Sequence, residues 1–401
     1  MQSIVDQLTI ENNTKIIFLV VDGIGGLRQK GKTETELQIA NTPNLDKLAQ
    51  NSVCGLLDPI LPGVTPGSGP AHFSLFGYDP IEANIGRGVL EAAGINLPLT
   101  DRDVAIRINF ATRDQNGNIT DRRAGRIDTE TNKRICNNIK ETVSLLPEAD
   151  FVLETVKEHR AALVIRGDNL GGEINDTDPQ KLGVPPLELQ AATPASEKTV
   201  KLVKNFLHQA HKVIADEPKA NTILLRGFAK HKPYNSMWDR FKMKCLAIAN
   251  YPMYRGVAFL LNMDLHPITS NTKAEFESVR EQYEQYDFFF VHVKATDARG
   301  EDGDFDGKVK VIEEVDSLLP ILTNLNPDVM VVTADHSTPA VMSAHSWHPI
   351  PVLVHSEFCR PDLVSKFDEI SCIQGGLGRM PSKNLMPIVL ANAQRLQKFG
   401  A

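Results

Sequence analysis

Long apolar runs mark the strands that the sequence predicts. Ile16–Val21 contains only apolar residues, and nearly apolar runs follow at Phe288–Val293, Val329–Thr333 and Ile350–Val354. Such runs are typical of parallel strands buried on both faces, since a strand with one solvated face alternates apolar and polar residues. The sequence therefore predicts four buried strands, one near the start of the chain and three in its last third.

Helical patterns lie between these runs. Asn41–Asn44 has the residues that open a helix, and Leu45, Leu48 and Ala49 follow on one side. A second helical segment precedes Val329, with apolar residues at a spacing of three or four at Val309, Ile312, Val315, Leu318, Leu319 and Leu322. Alternating strands and helices predict an α/β fold with a doubly wound sheet.

The middle of the chain has a different pattern. Residues 83–237 are rich in Arg, Asp and turn residues, with short strand-like runs at Val104–Ile108 and Ala162–Arg166. We interpret them as an α+β domain inserted into a discontinuous core domain of residues 1–82 and 238–401. Gly86–Gly88 and His231–Pro233 are the predicted neighbourhoods of the two junctions.

Composition excludes several classes of function. The 401 residues include 43 Lys+Arg and 50 Asp+Glu, a formal charge of −7, which argues against nucleic-acid binding by bulk charge but not against a local basic pocket. No apolar run approaches the ~20 residues of a membrane span, and the first residues lack a signal-peptide pattern. The five cysteines show no CxxC spacing and indicate free thiols. We expect a cytoplasmic protein with no nucleic-acid or membrane partner.

Three of the predicted strands are followed by an aspartate: Asp22, Asp297 and Asp335. Ligands bind beyond the carboxyl ends of the strands in open α/β sheets, and three carboxylates there repel one another unless a cation lies among them. His336 and His345 add imidazoles, and this mixture suits Mn²⁺ or Zn²⁺, whereas carboxylates alone suit Mg²⁺. Each aspartate alone is equally a helix cap or turn residue. The recurrence favours a site for two metal ions.

Ser68 is the candidate nucleophile. It lies in the Gly- and Pro-rich stretch Gly63–His72, at the start of a predicted helix whose backbone N–H groups would face a phosphate. A serine hydroxyl is a weak nucleophile until a base or a metal ion activates it. The alternative is an ordinary turn serine. For His72 the sequence leaves three roles open: orienting the turn, shuttling a proton, or packing.

Many short stretches together carry a family resemblance that spans essentially the whole chain. They are Val20–Gly23, Asn41–Asp46, Ser68–His72, Gly86–Gly88, Asn109–Thr112, Asp121–Arg126, Asp176–Pro179, Tyr251–Gly256, Lys294–Asp297, Thr333–Pro339 and Ala344–Ser346. In these stretches the chain resembles the archaeal-type cofactor-independent phosphoglycerate mutases, a branch of the alkaline phosphatase superfamily. The resemblance implies an alkaline-phosphatase-like core and an isomerase of glycolysis and gluconeogenesis. It would interconvert 2-phosphoglycerate and 3-phosphoglycerate without 2,3-bisphosphoglycerate.

The resemblance also implies roles for individual residues. Ser68 would be phosphorylated transiently. One metal ion would be held by Asp22, Ser68, Asp335 and His336. The other would be held by Asp297, His345 and the residue four positions after Asp297.

That last position departs from the family pattern. Relatives carry a histidine there, and this chain has Glu301. A carboxylate in place of a neutral imidazole adds negative charge, so we expect Mn²⁺ or Mg²⁺ to be preferred, with Zn²⁺ and Co²⁺ left open. The alternatives are that Glu301 points to solvent and the site is weakened, or that Asp302 or Asp304 replaces it.

The inserted domain has a role under this interpretation. The carboxylate and phosphate of phosphoglycerate suit arginine forks and lysine. The candidate substrate-binding residues are Arg123, Arg126, Arg166, Arg226 and Lys294. Each is otherwise a solvated or ion-paired side chain. We expect the inserted domain to act as a lid, because water must be kept from the phosphoserine.

Three rival interpretations are testable. A metal-dependent phosphatase, phosphodiesterase or other phosphomutase would share the core, and a non-catalytic binding protein would have lost the second metal site. A dinucleotide-binding dehydrogenase is disfavoured, because the glycines after Asp22 lack the G-x-G-x-x-G spacing. The sequence leaves open the physiological metal and whether the chain forms a homo-oligomer.

Overall fold

The computed structural model of the chain describes residues 3–83 and 85–400. These residues form two compact units. Residues 3–83 and 234–400 form the first unit, and Ile85–Pro233 forms the second.

The strands are numbered here in chain order. They are β1 (Ile16–Val21), β2 (Val53–Asp58), β3 (Asp103–Arg113), β4 (Ile119–Asp121), β5 (Asp150–Lys157), β6 (Arg160–Arg166), β7 (Thr222–Lys230), β8 (Cys245–Ile248), β9 (Asp264–Leu265), β10 (Phe288–Val293), β11 (Val329–Thr333), β12 (Ile350–Ser356) and β13 (Gly378–Pro381).

The α-helices are numbered in the same way. They are α1 (Ile4–Leu8), α2 (Glu36–Ile39), α3 (Pro43–Ala49), α4 (Ser68–Leu75), α5 (Pro80–Ala83), α6 (Arg87–Gly94), α7 (Thr129–Thr142), α8 (Glu197–Val213), α9 (Met237–Phe241), α10 (Pro252–Leu260), α11 (Thr272–Gln282), α12 (Ala295–Glu301), α13 (Phe305–Leu318), α14 (Pro320–Thr323) and α15 (Leu385–Asn392). Short 3₁₀ turns cover Ala124–Arg126, Pro194–Ser196, Tyr283–Gln285, Ser371–Gln374 and Ser382–Asn384.

The first unit is built on a mixed sheet with the strand order β13-β2-β12-β11-β1-β10-β8-β9. Strand β1 pairs in parallel with β10 on one side and with β11 on the other, and every residue of β1 is fully buried. The predicted buried strands and the predicted α/β fold class are confirmed. Helix α3 begins at Pro43, with Thr42 as its N-cap, as the opening signal at Asn41–Asn44 predicts.

Strand β12 differs from the expectation in one respect. Its apolar run was expected to be parallel, like the other three, but it pairs antiparallel with β11 and with β2. Parallel neighbours need a crossover connection, usually a helix. Residues 334–349 between β11 and β12 contain no helix, so the chain returns antiparallel. The run is apolar because β12 is a central strand, with Ile350, Val352 and Val354 completely buried.

Aromatic side chains fix helix α4 over β1 and β10. Phe76, directly after α4, meets Phe290 edge to face, with ring centroids 5.0 Å apart and planes at 81°. Phe18 of β1 lies 6.4 Å from Phe76 and 5.2 Å from Phe288. Tilted and edge-to-face contacts of this kind are the favoured arrangements of aromatic rings. They hold α4, whose first residue is Ser68, above the carboxyl end of the sheet.

The second unit contains a separate, mainly antiparallel sheet. Its order is β4-β3-β6-β5, and β7 pairs with the other side of β3. Helices α7 and α8 supply Ile135, Ile139 and Phe206 to a buried core, and Phe151 of β5 packs edge to face on Phe206 at 5.3 Å. The short runs at Val104–Ile108 and Ala162–Arg166 are strands, as predicted, within β3 and β6. The domain's role as a substrate-binding lid stays a prediction.

Among the described residues, no helix combines the length and the apolar character that crossing a bilayer requires.

Candidate active site

The three predicted aspartates meet at one edge of the sheet. Asp22 directly follows β1, Asp297 lies in the first turn of α12 after β10, and Asp335 lies two residues beyond β11. The register pairs Val20 of β1 with Thr333 of β11, so these parallel strands end side by side. All three carboxylates are fully buried. Parallel pairing therefore brings Asp22 together with two acids that lie 275 and 313 residues later in the chain.

The acids and two histidines form two groups with the geometry of metal ligands. Asp22, Asp335 and His336 form one group, and Asp297, His336 and His345 form the other, with the ligand atoms in each group within 4.8 Å of one another. His336 Nε2 lies 3.4 Å from Asp22 Oδ1 and 3.2 Å from Asp335 Oδ2. The rings of His336 and His345 stack, with centroids 3.6 Å apart. One imidazole thus belongs to both groups.

Hydrogen bonds assign the tautomers of both histidines. The Thr338 hydroxyl donates to Asp297 Oδ1 at 2.5 Å, so it accepts from His336 Nδ1 at 3.0 Å. His345 Nδ1 donates to the Pro66 carbonyl at 3.0 Å, because a carbonyl only accepts. In the neutral form each ring therefore has its proton on Nδ1, and Nε2 is the nitrogen that faces the acids. This is the state in which imidazole binds a metal ion.

The carboxylates fit a cation. Asp22 Oδ1 and both carboxylate oxygens of Asp335 are buried without a hydrogen-bond donor. Burial, and then the charge of Asp22, raises the pKa of Asp335 well above its usual range. Burial alone would also raise the pKa of Asp22, but Lys294 and His292 hold it well below its usual range. One lysine does not balance three buried acids, so divalent metal ions suit this donor set.

Ser68 lies against this cluster. It is the first residue of α4, its exposed fraction is 6%, and its Oγ lies 3.0 Å from His336 Nε2. One turn later, His72 Nδ1 donates to the Ser68 carbonyl at 2.8 Å and lies 3.4 Å from Asp335 Oδ2. Burial lowers the pKa of His72 to about 3, so this imidazole is neutral. These contacts favour a role for His72 in fixing the turn.

Glu301 lies at the rim of the cluster. It is the last residue of α12, one turn after Asp297, and its side chain is 54% exposed. Its Oε1 is 3.8 Å from His345 Nε2, and burial, followed by the charge of Asp297, raises its pKa. Glu301 is thus next to the second group without being a member of it. Asp302 and Asp304 do not belong to either group.

Lys294 also reaches the cluster. Its ammonium donates to Asp297 Oδ2 and lies 3.1 Å from Asp22 Oδ2. Burial lowers the pKa of Lys294, but the charges of Asp22 and Asp297 outweigh burial and raise it. Lys294 is therefore a fixed positive charge at the edge of the site.

The four predicted arginines lie in the second unit with different partners. Arg166 makes two hydrogen bonds of 2.7 Å to Asp103. Arg226 lies 3.4 Å from Asp178 and 3.6 Å from Asp176. Arg123 and Arg126 are exposed, on either side of the turn at Ala124–Gly125. The structure does not gather these four side chains into one group.

A basic cluster in the second unit includes residues that the sequence analysis missed. Arg107 of β3 is paired in register with Arg226 of β7, and like charges directly opposite one another are destabilising without an anion. Burial lowers the pKa of Arg107, and the positive charges of Arg160, Arg226 and Arg87 lower it further. The negative charge of Glu91 acts in the opposite direction and raises this pKa. A charged residue inside the apolar run Val104–Ile108 was the signal that could have identified Arg107.

The first unit also holds three polar residues near the site without predicted roles. They are Thr338, Tyr254 and His292. Thr338 and Tyr254 lie within stretches that carry the family resemblance, and His292 interrupts the apolar run of β10. Their contacts depend on the folded arrangement, so local pattern gives no role for them.

Comparisons with known proteins agree on one family. The family model described as 2,3-bisphosphoglycerate-independent phosphoglycerate mutase matches residues 49–220. The probable 2,3-bisphosphoglycerate-independent phosphoglycerate mutase of Thermus thermophilus is 44% identical over 401 residues, covering 99% of both chains. A solved structure of a protein from Pyrococcus horikoshii superposes with a TM-score of 0.84 at 30% identity, covering 97% of this chain and 100% of that chain. The cofactor-independent phosphoglycerate mutase from Thermoplasma acidophilum gives 0.72 at 30% identity, covering 95% of this chain and 100% of that chain.

Proposed function

Since the chain belongs to the 2,3-bisphosphoglycerate-independent phosphoglycerate mutase family and is therefore an isomerase, we propose that Ser68 carries the phosphoryl group between the two positions of phosphoglycerate. The observation that carries this proposal is the position of Ser68 Oγ, 3.0 Å from His336 Nε2 at the edge of the buried carboxylates. A serine with only a turn-forming role would not require a buried imidazole and carboxylates beside its hydroxyl group.

Two divalent ions would be held by residues of the first unit. Asp22, Ser68, Asp335 and His336 would hold one ion. Asp297, Glu301 and His345 would hold the other. When bound, the two ions supply positive charge that stabilises the serine alkoxide and the transferring phosphoryl group. The Nε2 atoms that face the acids and the carboxylate oxygens without a hydrogen-bond donor support this assignment.

The chain's own groups account for the transfer. In the first half-reaction a bond forms between Ser68 Oγ and phosphorus while the bond from phosphorus to the glycerate oxygen breaks, and the serine proton ends on that oxygen. In the second half-reaction a bond forms between the other glycerate hydroxyl oxygen and phosphorus while the bond from phosphorus to Ser68 Oγ breaks, and the proton of that hydroxyl returns to Ser68 Oγ. Lys294, as a fixed ammonium, neutralises part of the phosphoryl charge throughout. Protons and phosphoryl groups balance over the cycle.

Glycerate has to remain bound between the two transfers, because water would convert the phosphoserine into a phosphatase intermediate. We assign binding of the substrate's anionic groups to Arg107 and Arg226, which lie opposite one another on β3 and β7, with Arg123 and Arg126 as further candidates. Nε of Arg226 is buried without a hydrogen-bond partner, although Asp176 and Asp178 lie near that guanidinium group. Arg166 is the weakest candidate, because Asp103 already occupies its guanidinium group. The function of residues 83–237 as a substrate-binding lid is part of this proposal.

Glu301 is the proposed determinant of metal preference. Its carboxylate is beside His345 Nε2, at the position for which the family resemblance implies a histidine. A carboxylate oxygen is a harder ligand than an imidazole. We infer a preference for Mn²⁺ or Mg²⁺ over Zn²⁺.

Analysis of the reaction products distinguishes a phosphoglycerate mutase from a metal-dependent phosphatase. Metal-free protein is incubated with 3-phosphoglycerate, Mn²⁺ is added without any bisphosphoglycerate, and ³¹P NMR follows the products. We expect 2-phosphoglycerate, with no more inorganic phosphate than in a protein-free control. Release of inorganic phosphate as the main product would instead identify a phosphatase.

A further inference from the structure

Tyr254 lies behind the candidate metal centre, in the stretch Tyr251–Gly256, and has no role in the transfer described above. It belongs to α10, and its side chain is fully buried. The phenol oxygen contacts two charged groups. It is hydrogen bonded to Asp22 Oδ2, and Lys294 Nζ lies 3.1 Å from it.

The direction of both hydrogen bonds follows from the groups involved. An ammonium only donates and an ionised carboxylate only accepts. The phenol oxygen of Tyr254 therefore accepts from Lys294 and donates its own proton to Asp22. The side chain forms a directed link from the lysine to the carboxylate.

The ring of Tyr254 is held in place by its neighbours. It stacks on His292 with centroids 3.6 Å apart and planes at 26°, and the ring of His72 is 4.9 Å away. His292 belongs to β10 and is paired in register with Val20, two residues before Asp22. The central strands of the sheet therefore fix the position from which the phenol donates.

The two oxygens of Asp22 have opposite surroundings. Oδ2 meets Tyr254, Lys294 at 3.1 Å and His292 Nε2 at 3.4 Å. Oδ1 is buried without a hydrogen-bond donor and lies 3.4 Å from His336 Nε2. One oxygen is thus held by the protein, and the other is left for a ligand.

We propose that Tyr254 is a positioning residue that fixes the rotation of the Asp22 carboxylate, so that Oδ1 alone faces the ion of the group Asp22, Asp335 and His336. This inference rests on the proposed two-ion centre. Loss of an outer partner of a metal ligand typically weakens metal binding by about 10–100-fold. The ion held by Asp297 and His345 should be weakened less, because the phenol donates directly to Asp22 and is linked to Asp297 only through Lys294.

The test measures Mn²⁺ binding by calorimetry on the metal-free, full-length protein. Tyr254→Phe removes one oxygen atom and keeps the ring. Tyr78→Phe is the matched control, because Tyr78 is also a buried tyrosine of the first unit, with its hydroxyl donating to the Asn235 carbonyl at 2.7 Å. We expect all three proteins to bind two ions. In Tyr254→Phe one of the two ions should bind about 10–100-fold more weakly than in the wild type and in Tyr78→Phe.

Two background variants identify the weakened ion. In His345→Ala, where the ion of the Asp22 group remains, adding Tyr254→Phe should lower its affinity by the same factor. In Asp335→Asn, where the other ion remains, adding Tyr254→Phe should lower the affinity by a clearly smaller factor. Equal losses in both backgrounds, or no loss in His345→Ala, would overturn the positioning role.

The outcomes also separate this inference from the proposed function. A wild type that binds fewer than two ions would overturn the two-ion centre itself. A wild type with two ions and a Tyr254→Phe variant of unchanged affinity would overturn the role of Tyr254 alone. If Tyr254→Phe does not fold without metal, a chelator is added to the Mn²⁺-loaded variant, and the release of its two ions is followed. Faster release of one ion than in Tyr78→Phe would support the inference, and release of both ions at the rate of Tyr78→Phe would overturn it.

Discussion

Lys308 connects the two loops that carry most of the proposed metal ligands, and its removal is the most informative test of how the site is held together. It lies on α13 with no exposed surface, and its ammonium donates to the carbonyls of Gly25 and Thr338, each at 2.9 Å. Gly25 lies three residues after Asp22, and Thr338 lies two residues after His336.

The cost of replacing Lys308 by methionine follows from these contacts. Methionine fills much of the same space but leaves the Thr338 carbonyl without its lysine donor, while the Gly25 carbonyl keeps only the Thr338 N–H at 3.1 Å. Hydrogen bonds from charged groups contribute about 1.5–3 kcal/mol each. The substitution also removes the cation beside Glu36, which is buried, and beside Glu369, which is half-buried. Breaking a buried charged network by removing one partner costs about 3–5 kcal/mol. We therefore expect Lys308→Met to lower the free energy of unfolding by about 3–5 kcal/mol.

Urea unfolding of the metal-free protein measures this loss. The chain's two tryptophans, Trp238 and Trp347, both lie in the first unit, so their fluorescence reports its unfolding. Lys310→Met is the matched control, because Lys310 is exposed on the same helix, and it should change the free energy by less than about 0.5 kcal/mol. A loss below about 1 kcal/mol for Lys308→Met would refute the reasoning.

Three further predictions follow from individual side chains. Glu301→His should raise activity with Zn²⁺ relative to Mn²⁺, and a wild type supported equally well or better by Zn²⁺ would contradict the proposed metal preference. Arg226→Met should raise the KM for 3-phosphoglycerate about tenfold or more, which corresponds to a loss of about 1.4 kcal/mol or more of binding free energy. Arg166→Met should leave the KM within about twofold and lower the urea midpoint, because the partner of Arg166 is Asp103. Equal effects of the two variants on the KM would contradict this difference in roles. Burial raises the pKa of Glu275 from 4.5 to about 8, so the folded state keeps this proton to a higher pH than the unfolded state and the free energy of unfolding should fall as pH rises through that range. Glu275→Gln should therefore make the urea midpoint fall less steeply between pH 5 and pH 9. An unchanged slope in this variant would contradict the prediction.

The sequence predicted those parts of the site that follow directly from strand order. Parallel strands place their carboxyl ends at one edge, so Asp22, Asp297 and Asp335 could be expected to meet there, with His336 adjacent in the chain. Ser68 could be predicted as the start of a helix. Its distance from His336 could not, because this depends on aromatic packing of α4 against the sheet.

Other parts depend on contacts that local sequence does not encode. The partner of Tyr254 is 232 residues away in the chain, and the pairing of Arg107 with Arg226 depends on the register of two strands. The pairing of Arg166 with Asp103 follows from β3 and β6 lying side by side. The exposure of the Glu301 side chain could not be predicted, because it depends on the residue at which α12 ends. The direction of β12 required knowing that no crossover helix precedes it.

The most direct measurement of whether Ser68 carries the phosphoryl group is rapid acid quenching during turnover, because phosphoserine survives acid whereas phosphohistidine does not. The protein is mixed with Mn²⁺ and 3-phosphoglycerate, quenched, digested, and examined by mass spectrometry. We predict a phosphoryl group on the peptide that contains Ser68, and neither this peptide nor mutase turnover in Ser68→Ala. A phosphoryl group on a different residue, or retained turnover in Ser68→Ala, would contradict the proposed mechanism.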